Sequence, residues 1–191
     1  DRNWTINAFY DQWQHQWLRY QVDAPSRGTD WLAQVNWRPQ RGTELYFRVR
    51  QRVRPRNTNE AVDRIRNVVE MEQTNYRINA SYKVSPSVSL RTRVETVDFK
   101  RGSDALKNGF LIYQDIVHRP LSSPVELTLR FALFETDSYD ARIYAYENEL
   151  IGVFGIPPYF GRGIRWYGMV RATPMRRLDV WLRYGAWIFQ A

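Results

Sequence analysis

The sequence predicts an all-β protein: an antiparallel transmembrane β-barrel, or the carboxy-terminal section of a larger one, with about nine to ten strands in this chain. Three observations carry that expectation. First, apolar and polar residues alternate with period two over most of the chain, the spacing of strands whose side chains point to opposite faces. In Thr43–Val53, Leu45, Phe47, Val49 and Val53 fall on one side. Glu44, Tyr46, Arg48, Arg50 and Arg52 fall on the other, and Gln51 is the one break. Second, the connections tend to alternate short and long, as in outer-membrane barrels with short periplasmic turns and long extracellular loops. Third, aromatics bracket small aliphatics on the apolar side: Trp4/Tyr10, Trp31/Trp37 and Tyr76/Tyr82, with Ile-Ala, Ala-Val and Ile-Ala between. Such a segment covers ~20 Å of strand, somewhat short of the ~25 Å apolar band of a barrel.

The 191 residues bound one domain, 1–191, read as a barrel domain or a barrel fragment. No run of 18 apolar residues exists, so no transmembrane helix is expected, but barrel strands alternate and escape that test. Mean hydropathy is −0.59, yet the chain holds 8 Trp and 12 Tyr, which suits interfacial girdles. An all-β carbohydrate-binding domain would share this composition. A soluble β-sandwich or calyx would share the alternation, with its apolar face buried. Net charge is +8, carried by Arg far more than Lys, which suits bidentate contact with phosphate or carboxylate. The absence of Cys excludes a disulfide scaffold and a thiolate metal site. The start, Asp1-Arg2-Asn3-Trp4, is not a signal peptide, so the chain reads as a mature chain or a fragment.

Trp4, Ile6, Ala8 and Tyr10 share the first apolar face. Gln12–Gly28 breaks the alternation, and Pro25-Ser26-Arg27-Gly28 is turn chemistry. Trp31, Ala33, Val35 and Trp37 form the next face, and Pro39-Gln40-Arg41-Gly42 connects tightly to Thr43–Val53. Residues 54–73 are expected to be a long extracellular loop. Within it, the spacing of Ala61, Val62, Ile65, Val68 and Val69 suits a short helix, and two strand extensions are the alternative. Tyr76, Ile78, Ala80 and Tyr82 alternate with Arg77, Asn79, Ser81 and Lys83. After Ser85-Pro86-Ser87, Val88, Leu90, Thr92 and Val94 oppose Arg91, Arg93 and Glu95. Lys100–Asn108 reads as a polar loop, and Phe110–His118 as a strand of open phase, since both sides carry apolar residues.

Beyond the turn Arg119–Pro124, Val125, Leu127, Leu129, Phe131 and Leu133 make the cleanest apolar face, opposite Glu126, Thr128 and Arg130. Residues 135–161 form the second long extracellular loop. It could hold a hairpin, Arg142–Tyr146 against Ile151–Phe154, standing above the membrane, or Arg142–Tyr146 could itself span. Ile164, Trp166, Gly168, Val170 and Ala172 alternate with Arg165, Tyr167, Met169 and Arg171. The turn Pro174-Met175-Arg176 leads to Leu178, Val180, Leu182, Tyr184, Ala186 and Ile188. With Arg142–Phe154 counted as loop, about nine crossings remain, whereas closed bacterial barrels use an even number. An incomplete chain is therefore expected.

Several segments look familiar together: Trp17-Leu18-Arg19-Tyr20-Gln21-Val22-Asp23-Ala24-Pro25-Ser26, Gly109–Ile116, Arg119–Pro124, Tyr159–Gly163 and Leu178–Tyr184. The most specific is Arg130–Glu149. They resemble the carboxy-terminal region of Bacteroidetes-type outer-membrane proteins that bear helix-hairpin-helix repeats, of the competence DNA-uptake type, near their amino terminus. The resemblance implies a barrel in the bacterial outer membrane. The helix-hairpin-helix part, on which the DNA-related description rests, is not in this sequence.

Ten arginines occupy the polar phase: Arg48, Arg50, Arg52, Arg77, Arg91, Arg93, Arg130, Arg165, Arg171 and Arg183. They could make a lumen that attracts anions, phosphate esters or nucleic acid. They could equally ladder against carboxylates across the wall, with Glu95, Glu126 and Asp179 as candidates. Tyr46, Tyr167 and Trp181 share that phase and could stack bases or simply fill space. The aromatics expected at the lipid interface are Trp4, Tyr10, Trp31, Trp37, Tyr76, Tyr82, Trp166 and Tyr184. Glu135, Asp137, Asp140, Glu147 and Glu149 could hold Ca²⁺, but without EF-hand spacing they read as a solvated acidic loop. His15 and His118 form no zinc pattern, and His118 with Ser122 or Ser123 reads as a turn rather than a hydrolase pair. No cofactor, metal or catalytic residue is expected. The expected partners are outer-membrane lipid and other envelope proteins, with nucleic acid a further candidate. The function expected is passage or docking of anionic cargo, with a plugged accessory barrel and a soluble binding module as alternatives.

Overall fold

A computed structural model describes residues 3–62 and 65–190. Eleven strands follow in order: β1 (Trp4–His15), β2 (Ser26–Trp37), β3 (Thr43–Val62), β4 (Ile65–Lys83), β5 (Val88–Arg101), β6 (Lys107–His118), β7 (Val125–Thr136), β8 (Ile143–Tyr144), β9 (Pro158–Tyr159), β10 (Arg162–Met175) and β11 (Leu178–Phe189). A 3-10 turn, Tyr139–Ala141, precedes β8. Nine of the strands form one sheet in the order β1-β2-β3-β4-β5-β6-β7-β10-β11, and β8 pairs with β9 in a separate two-stranded piece. Every neighbouring pair is antiparallel, from Trp4↔Trp37 at one end to Ile164↔Ile188 at the other. β1 and β11 are the two ends of that order, so among the described residues the sheet is open rather than a closed ring. No helix among the described residues is long and apolar enough to cross a membrane.

The register keeps the apolar residues of neighbouring strands on one face. Val35 faces Phe47, Phe47 faces Ile78, and Ile78 faces Val94. This outer face is exposed: Phe47 by 47%, Ile78 by 49% and Leu182 by 70%. The opposite, inner face is buried although it is polar: Glu95, Asp115 and Arg130 are each at most 2% exposed. The open phase of β6 is thereby resolved. Phe110, Ile112 and Ile116 point outward, while Leu111, Tyr113 and Asp115 point inward. The break at Gln51 has a partner on the same face, since its Oε1 accepts from Trp31 Nε1 at 2.8 Å.

Two expectations about the long connections are corrected. Residues 54–62 and 65–73 are strand rather than loop, so of the two readings of this stretch the pair of strand extensions holds and the short helix does not. β3 and β4 continue pairing from Arg54↔Met71 to Asn57↔Val68, slip, and resume at Ala61↔Arg66. The run of Val and Ile that mimicked a helical stripe is also strand-prone, and backbone pairing with a partner decides it. The side chains of 61, 62 and 65 lie outside the described residues. β2 stops pairing with β3 at Thr29↔Val53, and β5 pairs with β4 only from Met71↔Arg101. The remainder is a two-stranded ribbon that projects past the sheet.

The second correction concerns 135–161. Arg142–Tyr146 is neither a strand of the main sheet nor a hairpin with Ile151–Phe154. The observed pairing is Ile143↔Tyr159 and Tyr144↔Pro158. The segment folds back over the inner face, where Ala141, Ile143, Ala145 and Tyr159 join Val97, Phe99, Leu111, Tyr113, Ala132 and Phe134 in a buried cluster. Gly109 permits the close approach, since a Cβ there would lie 2.6 Å from the Ala141 carbonyl oxygen.

Candidate functional site

The inner face is a set of charge pairs laid out by strand register. Because β3 places Arg50 opposite Leu32, its side chain reaches along β2 to Asp30, donating through Nη2 at 2.6 Å and Nε at 2.8 Å. Arg77 lies directly across from Glu95 and donates to it through Nε at 2.8 Å and Nη2 at 3.1 Å. Arg93 also donates to Glu95. Arg130 faces Asp115 across β6–β7 and forms a two-pronged pair at 2.5 and 2.6 Å. Its guanidinium carbon stands 3.9 Å from the Tyr113 ring centroid. Arg171 sits between Glu126 at 3.2 Å and Asp179 at 3.4 Å. Arg48 donates to Gln34 at 2.5 Å and Arg52 to Gln73 at 3.3 Å. Bidentate guanidinium–carboxylate geometry is the form in which buried charges are tolerated.

The segment between β7 and β10 completes the pairing, and we call it the insert. Glu147, 1% exposed, accepts from Arg165 at 3.0 and 2.9 Å, from Tyr159 at 2.8 Å, and from Arg183. Arg183 also reaches Glu149 at 3.2 Å. Irregular backbone pressed on a sheet leaves carbonyls to satisfy. Here Arg93 Nη2 donates to the Tyr144 carbonyl at 3.2 Å, Arg130 Nη1 to that of Tyr146 at 2.6 Å, and Arg183 Nε to that of Asn148 at 3.1 Å. The Asn148 N–H donates to Tyr167 Oη at 3.1 Å. Burial pushes the Glu147 carboxyl up, but the hydrogen bonds from Arg165 and Tyr159 and the charges of Arg165 and Arg183 outweigh it, so it is held below the ordinary carboxylate range. Burial and the adjacent Glu147 push the Tyr159 hydroxyl up, which keeps it a donor.

All ten arginines of the polar phase lie on the inner face, and Glu95, Glu126 and Asp179 each take an arginine partner. Four further counter-ions carry no signal in the alternation: Asp30, Asp115, Glu147 and Glu149. The eight aromatics assigned to the apolar phase all lie on the outer face. Trp4 stacks on Trp37 at 5.6 Å, and Trp166 meets Tyr184 edge-on at 5.6 Å. The five acidic residues of 135–149 do not converge. Glu135 pairs with Arg162, Asp137 accepts from the Asn108 N–H, and Glu147 and Glu149 serve arginines. Among the described residues no three His, Asp or Glu side chains are grouped to hold a metal ion. Ser123 Oγ accepts from the Val125 N–H at 3.2 Å, a turn role.

No family model, curated protein or solved structure matches the chain.

Three cavities border the insert: a smaller one of about 290 Å³ beside Tyr146 and Glu149, and two larger ones. One, of about 360 Å³, opens toward the projecting β3–β4 ribbon and is lined by Arg19, Arg52, Arg54, Arg56, Arg142 and Asp140 among others. The other, of about 380 Å³, lies toward the short turns and includes Lys83, Arg91, Arg119 and Asp115. Chemically, the inner face holds fixed charge and anchors the insert, and unpaired cation remains at its margins.

Proposed function

We propose that this chain is a length of outer-membrane β-barrel wall whose interior is filled by its own insert, acting as a structural or accessory part of an envelope assembly. One observation carries the reading: the exposed face is apolar and the buried face is charged. A protein in water hides the first and displays the second; a barrel in lipid does the reverse. Strands of twelve or more residues fit a tilted crossing. The outward Trp and Tyr residues suit the two interfaces, and the resemblance of Arg130–Glu149 to outer-membrane proteins agrees. A bilayer tolerates no open sheet edge. On this reading the β1 and β11 edges are paired in place, with each other or with further strands.

The ion pairs weigh against the expected passage of anions. A guanidinium that already holds a carboxylate or an insert carbonyl offers little to a passing ion. The membrane assignment is tested by washing membranes with alkaline carbonate. Retention until detergent is added is expected, and release into detergent-free buffer would overturn it. The sealed interior is tested in planar bilayers. The protein is expected to give no steady conductance, and deletion of 139–160 to create one. A large anion-selective current in the unaltered protein would favour transport.

A further inference from the structure

We infer that the cavity beneath the β3–β4 ribbon is a binding site for a ligand bearing two or more phosphate groups. The inner face supplies a carboxylate to Arg50, Arg77, Arg130, Arg165 and Arg171. In this cavity the pattern stops. Five arginines line it, Arg19, Arg52, Arg54, Arg56 and Arg142, against a single carboxylate, Asp140. Among the described residues none of the five has an ion pair.

Arg52, Arg54 and Arg56 lie on one face of β3, successive members ~7 Å apart, a spacing at which like charges repel unless an anion sits between them. Arg142 is positioned across from them by the insert. Its Nε donates to Tyr144 Oη at 2.7 Å and its Nη1 to the Tyr139 carbonyl at 2.8 Å, which leaves Nη2 for a ligand. Guanidinium groups converging from two separate elements match the oxygens of a diphosphate or of two phosphate esters. A volume of about 360 Å³ admits such a head group and excludes a duplex. The site does not depend on the membrane reading, because free diphosphate binds from solution whether or not the wall lies in lipid.

The test is titration calorimetry of the purified protein with inorganic diphosphate at low salt. Binding is expected, weakened at least tenfold in Arg54→Gln/Arg56→Gln and unchanged in Arg41→Gln, which alters the short β2–β3 turn. Arg54 and Arg56 are exposed and unpaired, so the double variant is expected to unfold at the same temperature as the parent. A second arm measures phosphorus retained from mixed micelles containing a bis-phosphorylated lipid. Retention that depends on Arg54 and Arg56 identifies a lipid head group, and diphosphate binding alone identifies a soluble ligand. Absence of both, or equal losses in the double variant and in Arg41→Gln, would overturn the site.

Discussion

Glu147 accepts from Arg165, Arg183 and Tyr159 at once, so removing its carboxylate strands the buried Arg165 guanidinium and leaves the half-buried Arg183 with Glu149 alone. Breaking one side of a buried pair typically costs about 3–5 kcal/mol. Glu147→Ala is expected to lose that much in denaturant unfolding, and a loss below 1 kcal/mol would mean that solvent already reaches the pair. The same carboxyl sets an acid limit. Its value in the folded protein lies below the ordinary 4.5. Its contribution is therefore complete above about 4.5 and declines as pH falls through the lowered value. Fluorescence of Trp187, which packs beside Tyr159 at 5.0 Å, is expected to report release of the insert in that acid range. Glu147→Gln should remove the transition, and a transition unaltered by the substitution would assign it to another group. Neither Glu147 nor Asp115 could be singled out from sequence, because a carboxylate in an acidic loop and one on a half-apolar strand look like solvated side chains until a partner strand is placed beside them.

At the level of elements, the positions and faces of most strands were legible because period two survives any register; the β3–β4 extension and the phase of Phe110–His118 were not. Partners of the strands were legible only where a short turn forces antiparallel neighbours, as at 38–42 or 84–87. The insert was not, yet the residues that receive it left a mark. Val97, Phe99, Leu111, Tyr113, Ala132 and Phe134 are apolar on the phase that is polar elsewhere. That was the source of the ambiguity in Phe110–His118, and it signals something packing against the inner face at that end. Alternation of Ala141, Ile143 and Ala145 with Arg142, Tyr144 and Tyr146 matches it, small and apolar toward the sheet. Gly109→Val should test the fit, since even a Cβ would press on the Ala141 carbonyl. Amide exchange over 141–147 is expected to accelerate while 125–136 stays protected. Unchanged protection of 141–147 would show that the approach is looser than the structure has it.

For the molecule as a whole, the environment of the outer face decides the reading. Phe131, 49% exposed, lies on β7 between two neighbouring strands. In hydrocarbon near the midplane, Phe131→Arg is expected to cost about 2–4 kcal/mol. In water, an exposed substitution of this kind falls within about 0.5 kcal/mol. Refolding into vesicles at graded urea concentrations separates the two. The projecting β3–β4 ribbon has its own bearing on handling the protein. Beyond Asn57, which is bonded to Gln21 and Asp23, it stands clear of flanking strands, and there it carries an exposed trypsin-sensitive bond after Arg66. A nick there would divide the polypeptide in two on a denaturing gel, while hydrogen bonding from Thr43↔Tyr82 to Val53↔Glu72 kept the halves migrating together under native conditions.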